Sequence, residues 1–191
     1  MERIRSAEIL DKFHKQKKEN RRLWNISQPT AELLFMLILI KKPKIVLEIG
    51  TSNGFSTWWL ARAGNIISSK IIALESDKKR YLLAKENLVE QKNIQLLHCL
   101  AEDYIPSCPH NFDMAFIDAG KIDYLKHLKL LLPKLNKGAL IVADNVISHR
   151  HTVKEYLDFL KTDAGFASIT LPLDDGLELS VFLGDKEIND A

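Results

Sequence analysis

The chain has 191 residues, enough for one ordinary domain with a substantial buried core. Its 46% hydrophobic and 27% charged content is that of a globular protein in water, and a net charge of +2 is too small to argue by itself for nucleic acid or an anionic membrane. The apolar run Leu33–Ile40 is too short to span a bilayer, the charged start MERIRSAEIL has no secretory apolar core, and Cys99 and Cys108 form no metal or disulfide pattern. A cytoplasmic protein with no membrane partner is the expectation.

Residues 2–22 carry Ile4, Ile9, Leu10 and Phe13 at helical spacing. The same segment holds the basic run Lys15, Lys17, Lys18, Arg21 and Arg22, either a solvated helix face or a surface for RNA or a partner. Pro29 sits where a first helical turn begins, and that helix is expected to run to about Ile40. From Lys44 the pattern alternates, with strands at 44–49, 70–75, 94–98, 113–117 and 138–143 and helices at 54–64, 78–90, 101–105 and 121–134. A helix at 152–162 precedes strands 167–172 and 177–183, whose joint Asp174-Asp175-Gly176 is a hairpin signal. The expected architecture is α/β: a single domain over 1–191, with N-terminal helices in 1–40 and a core in 41–191. That core is a mostly parallel seven-stranded sheet with an antiparallel C-terminal hairpin and helices on both faces.

The most informative stretch is VLEIGTSNGFS, residues 46–56: a short buried strand over Val46–Ile49 that carries Glu48, then Gly50 and Gly54 around a turn into a helix. Gly50 allows a sharp turn and a close ligand approach, and the N–H groups opening the next helix are expected to face that ligand. The spacing is neither the three-glycine dinucleotide fingerprint nor a phosphate loop, since no Gly-Lys-Ser/Thr follows. A tight turn in any α/β protein is the alternative.

Ligands on such sheets sit at the carboxyl ends of the strands. The second strand ends in Glu75, whose carboxylate can accept from ribose hydroxyls; Asp77 is the better candidate for capping the helix that follows. Leu100, Ala101, Glu102 and Asp103 follow the third strand, where small and apolar residues can flank an adenine ring. The fourth strand ends in Asp118 with Lys121 three residues on, and the fifth in Asp144 followed by Asn145. Two carboxylates and an amide oxygen at neighbouring strand ends suit one divalent cation such as Mg²⁺, although strand-end acids also cap helices.

VLEIGTSNGFS, ALESD, FDMAFIDAGKIDYLKHLKLLLPKL, GALIVADNV and LPLDDGLELSVF together resemble the class I S-adenosylmethionine-dependent O-methyltransferases, in the branch with the catechol and caffeoyl-CoA enzymes. The resemblance runs from about Asn25 to Phe182 and implies a Rossmann-like methyltransferase fold. It assigns cofactor contacts to Asn25, Ile26, Glu48, Gly50, Thr51, Gly54, Ser56, Glu75, Ala101, Glu102 and Asp118. The Mg²⁺ ligands fall on Asp118, Asp144 and Asn145, and the general base on Lys121. The implied reaction is methyl transfer to a hydroxyl of a small catechol-like or phenolic acceptor, and by analogy the protein is expected to be a homodimer.

The chain departs from that pattern near the acceptor. Gly120 stands where catechol-type animal enzymes have a bulky aromatic; Trp24 is a candidate replacement wall, whereas Trp58 and Trp59 are expected to pack within their helix. The segment VISHRHTVKEY after Asn145 is shorter than the insertion loop of the plant enzymes, which argues against a caffeoyl-CoA acceptor, and its His149 and His151 are expected to be exposed. DAGK replaces the frequent DADK. Two rival readings keep the fold: a tRNA methyltransferase acting on a hydroxylated base, and a cofactor-binding subunit without catalysis.

Overall fold

The computed structural model describes residues 2–20 and 23–184. The elements in chain order are α1 (Glu2–Glu19), α2 (Gln28–Lys41), β1 (Ile45–Ile49), α3 (Phe55–Ile67), β2 (Lys70–Glu75), α4 (Lys78–Asn87), β3 (Ile94–His98), α5 (Ala101–Tyr104) and β4 (Phe112–Ile117). They continue with α6 (Tyr124–Leu131), β5 (Leu135–Ala143), α7 (Lys154–Thr162), β6 (Phe166–Leu171) and β7 (Leu177–Phe182). Arg21, Arg22 and the Ile4 side chain of the expected first helix lie outside the described residues.

The described residues build one seven-stranded sheet in the order β3-β2-β1-β4-β5-β7-β6. The first five strands run parallel, while β7 is antiparallel to both β5 and β6, as the hairpin signal required. Strands of a parallel sheet covered on both faces are apolar on both faces, and β1 is an example. Val46 joins Phe13, Leu34, Ile38, Trp58 and Phe116 on the side of α1–α3, and Leu47 joins Ile72, Tyr124, Leu128 and Tyr156 on the other. Trp58 and Trp59 are core residues, stacked edge-to-face at 5.5 Å.

Helix starts follow local chemistry. Ser27 caps α2 by accepting the Thr30 N–H, and Asp77 caps α4 by accepting that of Arg80. Boundaries departed from expectation where tertiary contacts intervened. The helix expected over 121–134 is broken into a 3-10 turn at 121–123, α6, and a second 3-10 turn at 132–134, where Pro133 lacks an N–H for the helix ladder. Strand β5 begins at Leu135 rather than 138, because its early residues pair with Phe112 through a bulge: Leu135 faces Phe112 and Leu140 faces Met114. Asn136 holds that bulge by donating to Asp113 at 2.7 Å, and Gly138 adopts φ +80° within it. Helix α4 stops at Asn87 rather than 90, with Asn87 turned inward to donate to the Asn53 carbonyl at 2.9 Å. Among the described residues, no helix is long and apolar enough to cross a membrane.

Candidate active site

Strand order reverses between β1 and β4, and a cavity of about 940 Å³ opens above the carboxyl ends of the strands at that point. Asn25, Ile26, Gly50, Glu75, Ala101, Glu102, Asp118, Lys121, Asp144 and Asn145 all line it. Residues from five strand ends and the segment before α2 thus share one wall. Glu48, Thr51, Gly54 and Ser56, the remaining candidates, do not line it.

Those four form the inner layer of the turn. The Glu48 side chain points back into the protein and accepts from the hydroxyls of Thr51 and Thr57. Complete burial pushes its carboxyl up to about 7, against the opposing hydrogen bonds of Ser56, Thr57 and Thr51. Gly54 has φ +91° at the start of α3 and packs on Leu88, where a β-carbon would meet the side chain at 2.9 Å. The first residues of α3, whose N–H groups were expected to face a ligand, are not part of the cavity wall, and the Phe55 side chain packs against Phe13 and His14 of α1. Beside Gly50, the turn residue that reaches the cavity is Ser52, in a left-handed conformation at φ 53°.

Glu75 lies 4% exposed at the end of β2. Its carboxylate accepts the N–H groups of Ser52 at 2.7 Å and Asp77 at 2.8 Å, and Arg80 approaches at 3.3 Å. Leu100, Ala101 and Glu102 continue the wall past β3. Glu102 accepts from Lys126 at 2.7 Å, which holds its carboxyl below the usual range, while burial lowers the neighbouring His127.

At the other end the carboxylates gather. Backbone bonds from Asp118 to the Ile49 carbonyl and from Asp144 to the Ile117 carbonyl, at 2.9 and 3.1 Å, fix both strand ends. Lys121 Nζ donates to Asp118 Oδ1 at 2.7 Å, with the two side chains only 17% and 13% exposed. Tyr124 lies beneath: its ring centroid is 5.3 Å from Lys121 Nζ and its hydroxyl donates to the Asp144 carbonyl at 3.0 Å. Burial raises the Asp118 carboxyl against the pull of Lys121, and burial reinforced by Asp118 pushes Asp144 up to about 7. Neither acid caps a helix: the turn at Lys121 and helices α6 and α7 have no side-chain cap. Asn145 follows at φ 61°. Two carboxyls that hinder each other's ionisation, with an amide beside them, match the hard-oxygen donor set of Mg²⁺, which takes one or two carboxylates and keeps water in its other positions. Among the described residues no group of three or more His, Cys, Asp or Glu side chains stands together as a metal cluster.

Several cavity residues escaped sequence reasoning. Asp174 and Asp175 were read only as a turn, yet both line the cavity. Asp174 accepts from the hydroxyls of Ser27 and Thr30, the latter at 2.6 Å, and so latches the β6–β7 loop to the start of α2. Asp175 accepts the Ile147 and Ser148 N–H groups through its carbonyl, and its charge raises both Asp118 and Asp144. The missed signal was the double acid, more than a hairpin turn needs. Trp24 stands 70% exposed on the cavity wall, and His149 lines the cavity whereas His151 does not.

A sequence profile of the O-methyltransferase family matches residues 4–181. Among curated relatives, a catechol O-methyltransferase from Niastella koreensis is 35% identical over 130 residues, covering 64% of this chain and 58% of that protein. Catechol O-methyltransferase B from Danio rerio is 31% identical over 178 residues, covering 84% of this chain and 66% of that protein. The chain therefore spans 58–66% of the length of these two relatives. Among solved structures, the O-methyltransferase TomG from Streptomyces achromogenes in complex with SAM superposes with a TM-score of 0.78 at 25% identity, covering 84% of this chain and 82% of that one. By the extent of the profile match and the shared sheet, the chain belongs to the O-methyltransferase family.

Proposed function

We propose that this chain transfers a methyl group from S-adenosylmethionine to a hydroxyl of a small catechol-like or phenolic acceptor, with Mg²⁺ at Asp118, Asp144 and Asn145. The observation that carries the reading is one cavity with two chemically distinct ends. Glu75, Leu100 and Ala101 suit a nucleoside, and Asp118, Lys121 and Asp144 suit an acceptor hydroxyl. A volume of about 940 Å³ accommodates a cofactor and a small acceptor together.

Bound S-adenosylmethionine supplies an already electrophilic methyl group, and Mg²⁺ supplies positive charge that favours the ionised form of an acceptor hydroxyl. The work left to the protein is placement and proton transfer. Lys121 Nζ is the group placed to take the hydroxyl proton, and Asp118 Oδ1, 2.7 Å from it, is placed to balance the resulting charge. Tyr124 keeps that lysine and the Asp144 backbone in fixed relation. The segment 23–27 is tied down by Lys17, Ser52 and Asp174 and walls the cavity from the N-terminal side.

Of the basic run on which the tRNA reading rested, Lys15 stands 4.0 Å from Glu19 and Lys17 is bound to the Asn25 carbonyl, while Arg21 and Arg22 lie outside the described residues. The deciding experiment is labelled-methyl transfer to a panel of small catechols, with Mg²⁺ and with EDTA. Transfer that disappears in EDTA supports the full reading, and undiminished transfer in EDTA removes the metal from it. Binding of S-adenosylhomocysteine without transfer to any catechol moves the acceptor to a larger molecule.

A further inference from the structure

A carboxylate has about four acceptor positions. On Glu75, among the described residues, hydrogen bonds fill two and an ion pair stands against a third: Oε2 accepts the Ser52 N–H, Oε1 accepts the Asp77 N–H, and an Arg80 terminal nitrogen lies 3.3 Å from Oε1. One position on Oε2 is left for a ligand. A ribose edge presents two vicinal hydroxyls, each a donor and an acceptor, so Glu75 can satisfy only one of them.

The complementary group stands beside it. Arg80 lines the same cavity, and its Nε is buried without a hydrogen-bond partner among the described residues. A guanidinium only donates, so this is a spare donor next to a spare acceptor. Trp24 completes the arrangement, its ring centroid 5.8 Å from the Arg80 guanidinium carbon. The backbone of Trp24 is left-handed at φ 38°, a strained conformation for a bulky residue. Hydrogen bonds on both sides hold it: Ser52 Oγ donates to the Leu23 carbonyl, and Lys17 Nζ to the Asn25 carbonyl at 2.9 Å. Ser52 therefore orients Glu75 through its N–H and the Trp24 strap through its hydroxyl.

We infer that Arg80 is a second ribose-recognition residue: Glu75 accepts from one hydroxyl of a cis-diol while Arg80 donates to the oxygen of its neighbour, with Trp24 fixing the guanidinium. The inference rests on the S-adenosylmethionine reading and adds a specificity device that the β2 acid alone does not supply. The competing role for Arg80 is simple neutralisation of Glu75, in which case it competes with the ribose for the carboxylate.

The test is calorimetric binding of S-adenosylhomocysteine and its 2′-deoxy and 3′-deoxy analogues to the wild type, Arg80→Ala and Arg80→Lys, with melting curves to verify folding. Arg80→Ala is expected to weaken S-adenosylhomocysteine about ten-fold, the size of one hydrogen bond to a charged group. For one deoxy analogue, the one lacking the contacted oxygen, the same substitution is expected to cost under about two-fold, because the partner is already gone. Arg80→Lys keeps the charge but lacks Nε and is expected to resemble Arg80→Ala. Equal losses for all three ligands, tighter binding by Arg80→Ala, or wild-type behaviour of Arg80→Lys overturns the inference while leaving the cofactor reading in place. A folded wild type that binds none of the three ligands overturns both.

Discussion

The carbonyl oxygen of Asp118 occupies the space that a side chain on Gly50 would need: a β-carbon there would lie 2.2 Å from it. Gly50 also has φ +100°, and Asp118 donates its N–H to the neighbouring Ile49 carbonyl at 2.9 Å. The turn after β1 and the end of β4 are therefore in direct backbone contact. The need for glycine comes from this contact as much as from any ligand, and it ties the turn to the aspartate at the acceptor end.

Gly50→Ala should destabilise the protein by about 2–4 kcal/mol, since it combines a left-handed φ with a backbone clash. Urea unfolding measures this directly. A loss below about 0.5 kcal/mol, the scale of an ordinary surface substitution, would mean that β1 and β4 separate without strain.

Lys121→Ala should lower kcat by about 100- to 1000-fold, the usual range for a positioned proton acceptor. Binding of S-adenosylhomocysteine should stay within about three-fold, because Lys121 is assigned to the acceptor proton rather than to the nucleoside. Equal losses in turnover and binding would assign Lys121 to holding the site together.

Glu48 predicts a pH dependence of stability. Its carboxyl titrates near 7 in the folded protein against an ordinary value of 4.5, so the folded state keeps a proton that the unfolded chain has released. The stabilisation is fully present below pH 4.5 and is lost as the pH rises through 7. Between pH 5 and 8 the wild type should lose about 2–3 kcal/mol relative to Glu48→Gln, which cannot titrate. Parallel stability curves for the two proteins would show that Glu48 does not change its charge in this range.

Tyr124→Phe keeps the ring beneath Lys121 and removes only the bond to the Asp144 carbonyl. Leaving that carbonyl without its donor should cost about 1–2 kcal/mol of stability. The displaced strand end should also reduce kcat more than it raises KM for the acceptor. Full activity would place the positioning of Asp144 in the β5 backbone alone.

Asp174→Ala frees the hydroxyls of Ser27 and Thr30 and unlatches the β6–β7 loop from α2. S-adenosylhomocysteine binding should weaken by about three- to ten-fold, the effect of one or two hydrogen bonds holding a wall of the cavity. Unchanged affinity would mean that Lys17 and Ser52 are sufficient to hold the segment 23–27.

Much of this molecule was legible locally. The apolar runs from Val46, Ile71, Met114 and Leu140 became core strands, because a strand covered on both faces needs apolar side chains on both. Asp77 capped α4 as its position suggested, and the double acid with glycine at 174–176 turned β6 back into β7. The acids at the ends of β2, β4 and β5 share a cavity because parallel strands place their carboxyl ends on one edge of the sheet.

Other features depended on neighbours distant in the chain. The bulge that lengthens β5 is set by its partner Asp113, and the packing of Phe55 at the start of α3 by Phe13 from α1. Glu48 turns inward because Thr51 and Thr57 offer it hydroxyls inside the turn, and Glu75 retains one free acceptor position because Ser52, Asp77 and Arg80 converge on it. By itself the sequence determined the strands, the turns and the strand-end acids, since periodicity and turn chemistry act over a few residues. Only the tertiary structure decided which of those groups face the cavity, which are already paired, and that Asp174, Asp175 and Arg80 stand beside them. Those relations depend on strand order and burial, which bring together residues more than a hundred positions apart.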